Sequence, residues 1–149
     1  MHRAVLVLVT FALFLSLSAF ANVYKTIASA NKNAGQHPAL ESYSNGAMVY
    51  DWEPNMLYQV HASPNRITNI QLEVGEVLNS VAAGDTTRWV VGDTSSGAGR
   101  FNRTSIYVKP KRANLHTNLI VSTSRRVYHF ELHSFKDNYM ASVSLNYPG

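Results

Sequence analysis

The stretch HASPNRITNIQLEVGEVLNSVAAGDTTRWVV, residues 61–91, decides the fold. It holds three short apolar and β-branched runs, and the separators SPN, VGE and AGD supply the proline, glycine, asparagine and aspartate that turns require. Within RITNIQL, Thr68, Ile70 and Leu72 share one face, and the intervening polar residues point to the other. This period of two predicts short, half-buried β-strands joined by tight turns.

The same texture continues to the end of the chain and predicts nine strands. They are MVYDW, LYQVHA, RITNIQL, EVLNSVA, TRWVV, SIYVK, NLIVST, RVYHFELH and ASVSLNY. No long amphipathic helical stretch interrupts them, so the sequence predicts an all-β fold, a single antiparallel, immunoglobulin-like β-sandwich over residues 46–149. Alternation gives the core candidates Trp89, Val91, Ile106, Val108, Tyr128, Phe130 and Leu132. Pro110 is expected to end its strand, because proline cannot donate to the ladder.

The first 45 residues have a different character. His2 and Arg3 precede an almost wholly apolar run, and the motif Ala-Phe-Ala at positions 19–21 suits a signal peptidase. We therefore expect a cleaved signal peptide over residues 1–21, export to the periplasm, and no membrane span in the mature chain. Residues 22–45 are rich in small and polar residues without sustained periodicity, which predicts a flexible leader.

Composition excludes several function classes. The chain has no cysteine, which rules out thiol nucleophiles, zinc–cysteine sites and a lipidated cysteine within this sequence. The formal net charge is +4 and falls by one, to +3, when Arg3 leaves with the signal peptide. Such a mild surplus favours solubility and does not define a partner.

One motif is typical of metal sites. His129, Glu131 and His133 alternate along one strand face, and imidazole with carboxylate at that spacing suits zinc, with His116 or His61 as a further ligand. A solvent-facing polar strand face gives the same pattern. Since no other groups converge on these residues in the sequence, we predict no metal site, no cofactor and no catalytic residue.

The glycine-rich segment at residues 92–99 resembles a phosphate loop only superficially. Ala98 and Gly99 follow its second glycine, where a Walker loop needs lysine and serine or threonine. The segment is therefore interpreted as a polar, strand-connecting loop, and the region from Gly92 to Arg103 as a contact loop of an assembly.

Seven basic residues form the predicted protein–protein interface. Most lie in predicted turns and at strand ends, where charge is usually solvated, so direct nucleic-acid binding is not expected. The predicted contact residues are Arg100, Arg103, Lys109, Lys111, Arg112, Arg125 and Arg126.

Three segments carry a family resemblance. SPNRITNIQLEVGE, AAGDTTRWVVGD and NLHTNLIVSTSRRVYHFELHS occur in this order, and together they resemble the N-terminal domain of the TrbG/CagX-like family of conjugal transfer proteins over residues 47–147. The resemblance implies a structural, non-enzymatic periplasmic subunit of a type IV secretion core complex. Its partners would be other core subunits and further copies of itself in a ring.

The resemblance also bears on a lipoprotein partner. The family's C-terminal β-domain pairs with a small lipoprotein, and this sequence ends where the linker to that domain would begin. A lipoprotein partner is therefore not expected. Two other functions stay open on the residues alone, namely an exported ligand- or glycan-binding sandwich, and a metal-dependent enzyme centred on His129, Glu131 and His133.

Overall fold

A computed structural model describes residues 21, 23–39, 43–44 and 46–148, so the predicted signal peptide lies outside the described residues apart from position 21. The chain divides into two compact units, residues 1–34 and 35–149. In the first unit, residues 23–34 are helical and mostly exposed, where the sequence predicts a flexible leader. Within the described ranges, no helix combines the length and the apolar character that crossing a membrane requires.

The described part of the second unit is built almost entirely of strands, and all nine predicted strands are confirmed. Two short strands come before them, so pairing begins earlier than the predicted domain boundary at residue 46. The strands are β1 (Gly35–Gln36), β2 (Tyr43–Ser44), β3 (Ala47–Asp51), β4 (Leu57–Ala62), β5 (Thr68–Gln71), β6 (Leu78–Ala83), β7 (Trp89–Ser96), β8 (Arg103–Pro110), β9 (His116–Thr123), β10 (Val127–Ser134) and β11 (Ser142–Asn146). A 3-10 turn at Gly99–Phe101 precedes β8, and β8 ends at Pro110 as predicted.

The strands form two sheets. The first sheet has the order β1-β4-β10-β9-β6, and the second has the order β2-β3-β11-β5-β8-β7. The predicted β-sandwich is confirmed, but its sheets are mixed and not purely antiparallel. β4 pairs in parallel with β10, and β11 pairs in parallel with both β3 and β5. Side-chain alternation has the same period whichever way the neighbouring strand runs, so the sequence pattern does not contain this information.

The core lies between the two sheets and draws on both. Tyr50 on β3 and Tyr58 on β4 face each other across the sandwich, with ring centroids 5.4 Å apart. Trp89 is 2% exposed, and the inward residues of β10 are fully enclosed as predicted, whereas Val91 is only partly buried. The largest enclosed side chains are Trp89, Tyr58, Tyr128, Phe130, Met48, Ile70, Leu72, Ile106, Leu119, Leu132, Met140 and Val60.

Asparagine and glycine shape the turns. Asn55, Asn65 and Asn114 adopt the left-handed backbone region, with φ of 63°, 62° and 59°. Each lies between two of the predicted strands, and asparagine tolerates this region better than other residues with a Cβ atom. Gly97 has φ of 86°, and a Cβ atom there would lie 2.5 Å from the carbonyl oxygen of Phe101. Only glycine fits this turn between β7 and β8 without displacing the backbone.

Candidate functional site

Strand register gathers three histidines into one lateral row on the outer face of the first sheet. His133 on β10 lies opposite His61 on β4 and opposite His116 on β9. Their chain neighbours Ala62 and Leu132 point into the core, which fixes the histidines on the outer side. We call His61, His116 and His133 the histidine row.

A carboxylate lies next to this row. The Glu131 Oε2 atom is 3.9 Å from the His133 Nε2 atom. One ligand atom from each of His116, Glu131 and His133 lies within 4.8 Å of the other two. The ring centroids of His116 and His133 are 4.5 Å apart, and those of His61 and His133 are 6.2 Å apart.

The predicted triad of His129, Glu131 and His133 is therefore only partly brought together. His129 shares the strand and the outer face, but its lateral neighbours are Leu57 and Ile120. His116, which the sequence offers with His61 as a possible further ligand, lies beside Glu131 and His133 in place of His129.

Burial favours the neutral form of two members of the row, His133 and His61. The pKa of His133 lies below its ordinary value because burial disfavours the imidazolium and His116 adds repulsion, while Glu131 opposes the shift. The pKa of His61 is likewise lowered, first by burial and then by His133 and His37. The Nε2 atom of His133 is buried and has no hydrogen-bond partner among the described residues.

The predicted interface residues lie at two ends of the sandwich. Lys109, Lys111 and Arg112 are exposed at the end where β8 finishes. Arg100 and Arg103 lie where β8 begins, roughly 23 Å away at about 3.3 Å per strand residue. These two basic groups are separate surfaces.

Half of the contact loop predicted from Gly92 to Arg103 is strand. β7 runs on to Ser96 and pairs with β8 up to Arg103, which leaves residues 97–102 to connect the two strands. Glycine and polar residues on an exposed edge strand give the same composition as a loop, and this explains the wrong interpretation. Arg100 is exposed, with its guanidinium 4.9 Å from the Phe101 ring centroid.

Arg125 and Arg126 differ sharply, although both have Nη1 atoms 2.7 Å from the same Glu73 Oε2 atom. The Arg125 side chain is 43% exposed, in keeping with a contact residue. The Arg126 side chain is 17% exposed and lies over the rings of Trp52 and Tyr147, at 5.1 and 4.2 Å. The exposure expected of Arg126 is therefore wrong, because the side chain turns inward.

Arg126 reaches a buried carboxylate that the sequence does not reveal. The Glu76 side chain is fully enclosed, and its Oε2 atom is 3.5 Å from Arg126 Nη1. The Tyr128 hydroxyl donates to the same oxygen at 2.7 Å, and the Thr123 hydroxyl donates to the other. Tyr147 joins through a hydroxyl contact of 2.9 Å with Tyr128. We call Glu76, Thr123, Arg126, Tyr128 and Tyr147 the polar network.

The burial of Glu76 in the polar network is not what its local sequence favours. Glu73 and Glu76 flank a turn glycine, a position that favours solvated carboxylates, yet only Glu73 is partly exposed. Burial raises the pKa of the Tyr128 hydroxyl, which keeps it protonated and able to donate. In the sequence, the adjacent arginines at 125–126 are the feature that could have pointed to a buried carboxylate. Their carboxylate partners, however, lie about 50 residues earlier in the chain.

An open groove lies between the edge strands β6 and β7, one from each sheet. It encloses about 520 Å³. Among the described residues that line it, Asp93 is the only acidic side chain and no histidine is present. Its lining residues are Leu78, Asn79, Ser80, Val81, Ala83, Thr86, Val91, Gly92 and Asp93. The described lining thus offers a single ionisable group, the Asp93 carboxylate.

The described residues form a β-sandwich whose notable groups lie on a sheet face, at two basic ends and in a buried network. The chain belongs to the CagX family of conjugal transfer proteins, whose sequence profile matches residues 45–149. This confirms the resemblance seen over residues 47–147.

A curated relative agrees with this assignment. The chain is 40% identical over 89 residues to the probable conjugal transfer protein TrbG of Sinorhizobium fredii. The aligned region covers 60% of this chain and 33% of the relative, so the chain spans about a third of that protein's length. The family is described by its part in conjugal transfer and not by a catalysed reaction.

Proposed function

We propose that this chain is a structural, periplasmic subunit of a type IV secretion core complex and assembles into a ring through protein–protein contacts. The observation that carries the proposal is family membership across residues 45–149, which includes all nine predicted strands. Export is supported by the basic and then apolar pattern of the first 21 residues.

The form of the sandwich suits side-by-side assembly. A ring of identical subunits uses two different surfaces on each subunit. β6 and β7 are the outermost strands of their sheets on one side, and they offer unpaired backbone groups. Because the two basic ends carry like charge, the ends of two neighbouring subunits repel each other. Each end therefore favours contact with an acidic surface on a neighbouring subunit.

The test is isolation of the chain from the periplasm of cells that carry a conjugal transfer system, followed by size-exclusion chromatography and mass spectrometry. We expect co-elution with other transfer subunits at a mass far above that of one chain. Recovery as a lone monomer, with no transfer protein attached, would overturn the proposal.

A matched charge reversal tests the contact surface. Lys109→Glu with Lys111→Glu should reduce co-elution, because both side chains are exposed at one basic end. Lys25→Glu with Lys32→Glu makes the same change in net charge in the exposed helix of the first unit and should leave co-elution intact. Equal loss in both variants would show that net charge matters and that the basic end does not.

The groove between β6 and β7 favours the second candidate, an exported ligand- or glycan-binding module. Its volume lies within the range of small-molecule sites. A monomer that binds a small molecule or glycan, and loses binding on Asp93→Ala, would support this function. A monomer that binds none would not.

A further inference from the structure

The sequence predicts no metal site, but the strand register brings His116 to Glu131 and His133, and we propose that these three residues bind a borderline-soft divalent transition-metal ion, with Zn²⁺ as the expected occupant. This site on the outer face of the first sheet goes beyond the proposed assembly function and does not depend on it. The three side chains come from two adjacent strands, β9 and β10.

The spacing of the ligand atoms is close to what a metal requires. Bonds of 2.0–2.2 Å to a tetrahedral ion place neighbouring ligand atoms about 3.4 Å apart. The three ligand atoms here already lie within 4.8 Å of one another. The remaining approach of up to about 1.4 Å is within the reach of side-chain rotation, because His116 is exposed.

The backbone holds the site in register. His116 and His133 form a directly paired position in an antiparallel ladder, where side chains on the same face lie side by side. β10 is also held on its other side by β4 over six paired positions. Ligands on paired strands of a sheet keep their relative position far better than ligands on loops.

The His133 Nε2 atom gives an independent reason to expect a ligand. It is buried, it has no hydrogen-bond partner among the described residues, and it lies 3.9 Å from the Glu131 carboxylate. A buried polar atom without a partner is destabilising, and an ion or a water molecule is one way in which such an atom is satisfied. A metal ion between this nitrogen and the carboxylate would satisfy both groups.

A merely polar strand face does not account for the arrangement. On such a face, histidines have no reason to lie next to one another, and His129 does not, since its lateral neighbours are Leu57 and Ile120. The histidine row instead places three imidazoles across three strands, with His61 on the far side of His133. His61 is therefore positioned to approach a metal held by His133, or to stay beside it as a supporting group.

The donor set selects the kind of metal. Two imidazole nitrogens and one carboxylate oxygen suit Zn²⁺, Co²⁺, Ni²⁺ and Cu²⁺, whereas Ca²⁺ and Mg²⁺ prefer oxygen ligands alone. Three protein ligands leave at least one coordination position for water, His61 or a group from a neighbouring chain.

The test uses the chain purified without a histidine tag and freed of metal by a chelator. Zn²⁺ is titrated in competition with a chromophoric indicator, and Co²⁺ is titrated while visible absorption is recorded. We expect one equivalent of Zn²⁺ per chain and a Co²⁺ spectrum typical of nitrogen and oxygen ligands. Mg²⁺ should not compete.

Substitutions then locate the site. His133→Ala and His116→Ala should each weaken Zn²⁺ binding by about tenfold or more. His129→Ala, on the same strand and the same face, is the matched control and should leave the affinity unchanged. Since His116 is exposed, its variant is expected to fold normally, and circular dichroism checks this for both variants.

Three outcomes would overturn the site. One is binding that does not saturate at one equivalent, and another is a one-equivalent affinity that both His116→Ala and His133→Ala leave unchanged. The third is an equal loss in His129→Ala, which would show that metal binds any surface histidine.

Discussion

Replacing Arg126 by methionine should lower the free energy of unfolding far more than the same replacement of Arg125. The two arginines are consecutive, and both place Nη1 2.7 Å from the same Glu73 oxygen. They differ in burial, since the Arg125 side chain is 43% exposed and that of Arg126 only 17%. Only Arg126 also faces the fully enclosed carboxylate of Glu76. The comparison therefore measures what burial and the additional partner Glu76 add to an otherwise similar ion pair with Glu73.

The expected magnitudes follow from the two environments. Removing one partner of a buried ion pair costs about 3–5 kcal/mol, because the other charge stays behind uncompensated. Glu76 keeps the hydroxyl donors of Thr123 and Tyr128 after the change, so the loss for Arg126→Met should lie near the lower limit, at about 3 kcal/mol. An exposed ion pair contributes about 0–1 kcal/mol, which sets the expectation for Arg125→Met.

Urea unfolding followed by far-ultraviolet circular dichroism measures both variants. Tryptophan fluorescence is a poor probe here, because Trp52 stacks on Arg126 and its emission will change for local reasons. Arg126→Lys should recover part of the loss, since a single ammonium restores the charge but cannot replace the planar fork. The reasoning is refuted if Arg126→Met costs no more than Arg125→Met at equal m-values.

Three further predictions concern stability. Gly97→Ala should cost about 1–3 kcal/mol of stability, because Gly97 has a positive φ and a Cβ atom there would meet the Phe101 carbonyl. Gly92→Ala should be near neutral, since nothing lies within 4 Å of its Cβ position. Thermal unfolding of both variants tests this, and equal shifts would contradict it. Leu119→Ala should cost about 2–5 kcal/mol in urea unfolding, because the side chain is fully enclosed, and a cost below 1 kcal/mol would contradict the core assignment. The pKa of Glu73 is lowered, since the two neighbouring guanidinium groups outweigh the opposing effect of burial. The contribution of Glu73 to stability is therefore present above its unfolded-state pKa and is lost as pH falls through its folded-state pKa. Unfolding measured from pH 7 down to pH 3 should show this loss. Glu73→Gln should make the stability depend less on pH.

Strand positions were predictable because each one depends on a short stretch of sequence. Alternating residues such as Tyr128, Phe130 and Leu132 report directly which face meets the core, and all three are enclosed. Asparagine at Asn55 and Asn65 marks turns for a local reason as well. Each of these inferences needs only a few consecutive residues.

Sheet pairing and the polar network were not predictable, because both depend on residues far apart in the chain. The parallel pair of β4 and β10 joins segments separated by most of the domain. Glu76 appears in the sequence as an ordinary carboxylate next to a turn. Its burial becomes intelligible only when Thr123, Arg126 and Tyr128 arrive from the β9–β10 hairpin.

The histidine row lies between these two cases, and it shows how far local reasoning reaches. β9 and β10 are consecutive strands joined by a tight turn at Ser124 and Arg125, and an antiparallel hairpin centred there necessarily places His116 opposite His133. The choice of His116 over His129 therefore follows from the sequence once that turn is located. His61 joins only through the parallel pairing with β4, which no local pattern encodes. The sequence therefore specifies most directly the β9–β10 pair, which supplies the proposed metal ligands. His61 is the least predictable member of the histidine row, and its ring also lies farther from His133 than the ring of His116 does.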